Sequence, residues 1–425
     1  MKGSPQPRPR GVVRRAMLRL GHDLDHRLIP PMRWVMTPRR LRRIRDLPGP
    51  SLIRPLKVAP PWAAASAEPP PELATVPGIR RDDDAETRAF AERPLHDWFK
   101  THPEAVRWMA PHYWRSFLPV SRRLLRARRA IHHTQRHNPA PASQPAGLDP
   151  AQLTRGLKEE ARRLGISAVG VAPYDPRFTF AEYAGRNAGD RMIVCVLEQP
   201  WAATQELPFA GTEQAALRTY AALLERMVQL TSWLQAQGFQ ARAEDYEGES
   251  LYIHYGVQAG LGQLGLNGQL LTPQAGSRCR LAGITTDAPL EFDSPKDYGI
   301  EGICDRCQVC VRRCPVGAIP AVRREYRGVT KAKLNTKRCF PIVTQVAGCA
   351  ICMKTCPVQK FGLAAVVTEY QASGQILGKD TDELEGYDWP VDGKHYPPGL
   401  RPRIAENLMA PPGLMFDPSR LAPPP

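Results

Sequence analysis

Cys304-Asp-Arg-Cys307-Gln-Val-Cys310-Val-Arg-Arg-Cys314-Pro315 is the stretch on which the fold turns. Its counterpart is Cys349-Ala-Ile-Cys352-Met-Lys-Thr-Cys356-Pro357, with Cys339 ten residues ahead of it. A cubane iron–sulfur cluster needs four soft thiolates around it. Two-residue gaps let three cysteines of one tight loop reach three irons of one cube. The fourth cysteine, just before proline, sits a helical turn further on and serves the neighbouring cluster. This spacing predicts two [4Fe–4S] clusters. Cys304, Cys307, Cys310 and Cys356 would hold the first, and Cys314, Cys339, Cys349 and Cys352 the second. Cys339 alone lies outside the tight motifs.

Zinc and disulfides are the competing uses of so many cysteines. Zinc sites prefer separated Cys-x2-Cys pairs with no Cys-Pro ending. Disulfide density of this kind belongs to short secreted chains, whereas this one has 425 residues. Free thiols point to a reducing compartment, and a cytoplasmic location is expected. Two adjacent clusters form an electron wire, and a wire needs a terminus.

Working outward, the chain is long enough for two or three domains. Its formal net charge is +16. Residues 1–150 hold 28 Lys+Arg against 13 Asp+Glu, a net of +15, and the remainder is close to neutral. Residues 1–80 read as a basic, Pro- and Arg-rich extension. Arg39-Arg40-Leu41-Arg42-Arg43-Ile44-Arg45 could meet an anionic membrane or a nucleic acid, or be a solvated arm. Val13-Arg14-Arg15-Ala16-Met17-Leu18 faintly resembles an export signal, but Asp23, Asp25 and Arg27 occupy its would-be apolar stretch. No membrane span is expected. Residues 81–149 read as a helical region and linker, with Trp98, Trp108 and Trp114 and a helix from Val120 to Ile131.

Residues 150–300 alternate helix and strand. Leu153, Leu157, Ala161 and Leu164 share one helical face. A strand is expected within Ile166 to Ala172, and a fully covered one from Arg191 to Leu197. A long helix follows at Ala215 to Gln237, then strands at Phe239 to Ala243 and Leu281 to Thr285. The pattern predicts an α/β domain with one central sheet. Residues 301–360 form the cluster module, and 361–425 a wrapping tail. Of the remaining cysteines, Cys195 reads as a small buried hydrophobe. Cys279 lies between two arginines that would lower its pKa, with a passive strand residue as the favoured reading.

The glycine-rich run Ala259-Gly-Leu-Gly-Gln-Leu-Gly-Leu-Asn-Gly-Gln-Leu-Leu-Thr-Pro273 lets backbone approach either a bulky ligand or its own neighbours. With Gly276-Ser-Arg-Cys-Arg-Leu281, Thr285-Thr-Asp-Ala-Pro-Leu290 and Asp293-Ser-Pro-Lys-Asp-Tyr-Gly299, it resembles the corrinoid-dependent reductive dehalogenases. Leu164-Gly-Ile-Ser-Ala-Val-Gly-Val-Ala-Pro173 is similar to the epoxyqueuosine reductases, which share that architecture. The likeness covers roughly residues 150–360.

The resemblance implies a nitroreductase-like cobalamin-binding domain followed by an α+β bacterial ferredoxin-type module. It implies a cobalamin, with Gly260, Gly262, Gly265, Asn267 and Gly268 as binding residues. It implies Tyr246 as proton donor, Arg278 as the cation that steadies its phenolate, and Asp245, Tyr252, His254 and Tyr255 as neighbouring alternatives. Expected partners are a small-molecule substrate and an electron donor such as a ferredoxin, a flavodoxin or a reductase. Two other readings stay open. One is a tRNA-modifying reductase of the epoxyqueuosine type, whose basic extension would grip RNA phosphates. The other is a non-catalytic electron carrier.

Overall fold

The computed structural model describes residues 116–136, 149–404 except 181–182, 247, 327–328 and 347, and residue 409. The basic extension 1–80, the three tryptophans, most of the linker and the end of the tail lie outside the described residues.

Helix α1 (Leu118–Arg136) overruns its expected bounds at both ends and buries Val120, Leu124, Ala127 and Ile131. Helix α2 (Pro150–Arg163) opens on Asp149, whose carboxylate accepts from Ala151 N, with proline at its first position. Leu153, Leu157 and Ala161 form its buried stripe as expected. Strands β1 (Ala168–Pro173) and β2 (Arg191–Glu198) follow, then α3 (Ala210–Ala236), β3 (Ala241–Ala243), α4 (Tyr252–Gln258) and β4 (Cys279–Thr286). The sheet order is β1-β2-β4-β3. Every pairing in it is antiparallel. The helix–strand alternation therefore does not come from parallel crossovers. Among the described residues, the segment 174–190 that joins β1 to β2 has the three-residue helical turn Pro176–Phe178 as its regular structure.

The central strand β2 is buried from Met192 to Leu197, since both its faces are covered. Ile193, Cys195 and Leu197 meet Leu223, Leu224, Met227 and Leu230 of α3, with α1 and α2 completing that layer. Met192 and Val194 face Tyr255 and Ala259 on the α4 side. Helix α3 has little amphipathic contrast because it lies between α1 and the sheet and is wrapped by both.

Past the sheet come α5 (Ile300–Cys307), α6 (Val309–Arg313), α7 (Thr336–Gln345), α8 (Ile351–Lys354), α9 (Pro357–Phe361) and α10 (Leu363–Ser373). They build two apolar nests. One packs Ile300, Ile303, Val309, Val358 and Val366 around Cys307 and Cys356. The other packs Val316, Ile319, Ile342, Val346 and Ile351 around Cys314 and Cys349. The segment after residue 361 is more than a wrap. It begins with a helix, and it sends Tyr387 and Trp389 into the second nest. The Arg313 guanidinium holds it there, donating to the carbonyls of Glu385 (3.1 Å), Tyr396 (2.8 Å) and Leu400 (2.6 Å).

Candidate functional site

The eight clustered cysteines are free, and the fold gathers them into two quartets. Cys304, Cys307, Cys310 and Cys356 feel one another electrostatically. So do Cys314, Cys339, Cys349 and Cys352. Cys310 and Cys352 also feel each other, which makes the quartets neighbours. The first quartet lines a partly open pocket, walled by Leu266, Asn267, Ile303 and Thr355 among others. Among the described residues no three His, Cys, Asp or Glu side chains converge on one ion. A cube places each thiolate on a different iron, so its ligands stand apart around a volume. The quartet and its cavity have that arrangement.

Burial is the largest influence on these thiols. It pushes Cys304 and Cys352 up to about 12 and raises Cys307, Cys310, Cys339, Cys349 and Cys356. Buried thiols resist ionisation unless positive charge arrives with the ligand. Backbone N–H groups are already aimed at the sulfurs. Leu266 serves Cys304, Val309 serves Cys307, Ile351 serves Cys349, and Val358 and Gln359 serve Cys356. Ala318 N donates to Cys314 Sγ at 3.3 Å. Such donors favour the anionic sulfur and tune cluster potentials. The loops also carry backbone strain. Gln308, Cys349 and Ala350 have φ of 56°, 46° and 52°, the left-handed region that non-glycine residues avoid.

Cys195 and Cys279 are both buried and both pushed up to about 12, first by burial. The arginines beside Cys279 lower it, but burial outweighs them.

The glycine run closes on its own neighbours. A Cβ at Gly260 would meet Ser294 O at 2.4 Å, and one at Gly262 would meet Leu271 O at 2.2 Å. At Gly265 the obstacle is Asn267 Oδ1 at 2.7 Å, and Gly268 is needed for its φ of 74°. Of the five residues, Asn267 borders the cysteine cavity. The run is thus a thin wall between sheet and cluster module. The chain also buries polar atoms of the kind that a corrinoid's amides and phosphate would satisfy. Gln199 Oε1, Gln269 Oε1, Ser277 Oγ and Arg278 Nε and Nη2 are buried without a hydrogen-bond partner. The donor set fits such a group.

Tyr246 and Arg278 are not brought together as expected. The polar partners of Arg278 are Glu198 Oε2 (3.0 Å) and Gln199 O (3.1 Å). The cation over the Tyr246 ring is Arg128 of α1, at 5.4 Å. Tyr246 also meets Tyr220 at 5.4 Å and packs on the main core. Arg128 pairs with Asp245 at 2.6 Å, and Asp245 accepts from Tyr246 N. Of the neighbouring alternatives, His254 lies against Phe178, with ring centroids 4.8 Å apart. Tyr255 donates to Asp175 O at 2.7 Å. Tyr252 donates to Glu244 Oε2 at 2.7 Å.

Glu244 is a residue that the sequence reading missed. Ser250 also donates to it, at 3.1 Å, and Thr179 and Tyr174 extend the hydroxyl chain at 3.2 and 3.0 Å. Burial, then the charge of Glu249, pushes Glu244 up to about 7, while Arg242 pulls the other way. The signal was present in Ala241-Arg-Ala-Glu244, where charged residues alternate with alanines that face the main core.

No protein-family model matches the chain. Among curated proteins it is similar to a tetrachloroethene reductive dehalogenase of Dehalobacter restrictus, 26% identical over 305 residues, 57% of this chain and 55% of that protein. It is likewise 26% identical to an epoxyqueuosine reductase of a Synechococcus species over 245 residues, 49% of this chain and 76% of that one. The chain spans about half the length of the dehalogenases it matches. A solved reductive dehalogenase, described as suggesting a mechanism for B12-dependent dehalogenation, superposes with a TM-score of 0.58. That match has 20% identity and covers 82% of this chain and 56% of that one. The homologues carry the names that the sequence resemblance implied, and the mixed α/β fold is that of the dehalogenase structure.

Proposed function

We propose that the chain is an iron–sulfur, cobalamin-dependent reductase of the reductive-dehalogenase type. It would combine a nitroreductase-like sheet domain with a two-cluster module. The observation that carries this reading is the cavity walled at once by Cys304, Cys307, Cys310, Cys356 and the glycine-run residues Leu266 and Asn267. A thiolate cage and the sheet domain would share one wall there, which suits an electron wire that ends at the sheet domain.

In this reading the first quartet holds one [4Fe–4S] cluster and the second quartet the other. Bound clusters supply one-electron transfer, and a corrinoid supplies the cobalt centre at which a substrate is reduced. The protein's own part is to hold, shield and protonate. The N–H groups of Leu266, Val309, Ile351, Val358 and Gln359 steady charge on the cage sulfurs. The apolar nests keep water from both cages. Leu266 and Asn267, which line the pocket of the first quartet, would separate the thiolates from a cofactor held on the sheet side. Tyr246, with Arg128 over its ring, is the candidate proton donor. Glu244, half-protonated near neutral pH and hydrogen-bonded to Tyr252, is a second proton-holding group. A small-molecule substrate and a one-electron donor protein are the implied partners, and a reducing, cytoplasmic setting suits the free thiols.

Anaerobic reconstitution with iron, sulfide and hydroxocobalamin tests the reading. About eight irons per chain are expected, with corrinoid absorbance co-eluting on gel filtration. Material that takes up iron but no corrinoid would instead be an electron carrier. Colourless material would end both readings.

A further inference from the structure

Arg278 has no exposed surface, and its side chain is fully enclosed. Its Nη1 is occupied by Glu198 and by the Gln199 carbonyl. Among the described residues its Nε and Nη2 meet no acceptor. These two nitrogens form the side-on edge of the guanidinium, the fork that takes two oxygens of a carboxylate or phosphate in one plane. Leaving a charged donor edge buried and unmatched is strongly unfavourable. A hydrophobic residue would fill the same volume without that penalty. Ser277 Oγ, in the same turn, is also buried and unmatched.

The turn is fixed in place. Arg278 N donates to Ala275 O at 3.1 Å, and Gly276, with φ of 53°, presses on the backbone of Gln359 so closely that a Cβ would lie 2.6 Å from its nitrogen. Gln359 is the residue whose N–H serves Cys356. The turn that carries Arg278 therefore stands where the sheet domain abuts the first cysteine quartet. Glu198, partly exposed, engages only Nη1, so the Nε/Nη2 edge keeps its donor hydrogens unmatched.

We propose that the Nε/Nη2 edge of Arg278 is an oxyanion subsite, with the Ser277 hydroxyl beside it in the turn. The ligand is a two-oxygen anion, phosphate or carboxylate. It has two available sources, the phosphodiester of a bound cobalamin and the carboxylate of a small acid substrate. The existence of the subsite is independent of the proposed function. Only the first source rests on it.

The test uses the reconstituted full chain and wild-type measurements first. Thermal unfolding is followed in inorganic phosphate and in benzoate, each against chloride at matched ionic strength. Binding of hydroxocobalamin and of cobinamide, which lacks the phosphodiester, is measured by equilibrium dialysis. If cobalamin supplies the anion, wild type binds it about tenfold or more tightly than cobinamide, and Arg278→Lys erases the preference. If a substrate carboxylate supplies it, the two corrinoids bind alike, benzoate raises the melting temperature, and the lysine variant loses that rise. Binding of neither corrinoid, with phosphate still stabilising wild type, removes the cobalamin reading and keeps the subsite. Wild type that is indifferent to phosphate and benzoate and binds both corrinoids equally overturns the proposal, however the variant folds.

Discussion

Glu244 is the residue whose charge state the fold most visibly controls. Its carboxyl keeps a proton up to about 7, against an ordinary 4.5. Between those values the folded chain holds a proton that the unfolded chain has shed. Stability therefore falls as pH rises through the window, and the group is destabilising above it. Lowering the pH across the window regains at most about 3 kcal/mol. Glu244→Gln is expected to flatten this dependence, as read by urea unfolding at a series of pH values. An unchanged slope would assign the titration to another group. At the cysteines, Cys310→Ser should leave about four irons per chain, because the second quartet is intact without it. Loss of both clusters, or of neither, would contradict the quartets. Tyr246→Phe tests the proton donor. Full turnover in that variant would move the role to Tyr252 and Glu244. Spacing alone divided the eight cysteines into the two groups proposed here as cluster ligands. The cation over Tyr246 was not readable, because Arg128 comes from α1, 118 residues earlier. Contacts at such separation leave no local trace in sequence.

At the scale of elements, the cysteine loops are strained and the tail is structural. Ala350 adopts a left-handed backbone that glycine takes without penalty. Ala350→Gly should therefore leave stability unchanged or raise it by up to about 1 kcal/mol, and Ala350→Val should lower it by more than 1 kcal/mol. Denaturant midpoints of the two variants decide this. Trp389→Ala should cost about 3–5 kcal/mol, since its side chain is buried in the second nest. Helices and strands of the sheet domain were legible from periodicity, to within a few residues at their ends. The direction of the strands was not. A helix–strand alternation is equally compatible with the antiparallel order found here, and the deciding feature is a connection, residues 174–190, whose path depends on Asp175 capping a helical turn and on Tyr255 bonding its backbone. The tail was misjudged for a related reason. Prolines and glycines in 374–400 advertise irregular chain, and irregular chain can still be core when an arginine such as Arg313 satisfies its carbonyls.

For the whole molecule, two layers of helices, a four-stranded sheet and a cysteine module share walls, so that damage in one part is felt in the next. A chain ending at residue 386 would keep Ile376 and Leu384 in the first nest, lose Tyr387 and Trp389, and open the second nest to water. Such a truncation should take up the first cluster and lose the second on exposure to air, measured as iron retained per chain. Equal retention by the shortened and full chains would show that the tail shields neither.

In the proposed assignment Cys314 leaves its own motif to join the distant quartet, and Cys356 makes the reverse trip. The lone link between the two motifs is the stretch that includes the hairpin of Arg324–Tyr326 and Val329–Lys331. A protease that clips this hairpin would cut the chain without parting it while both cubes are in place, for each fragment would still be stitched to the other by inorganic sulfide and iron. Strip the metal with a chelator under denaturing conditions, and the clipped protein should fall into two pieces. The mineral, in that sense, is a second backbone.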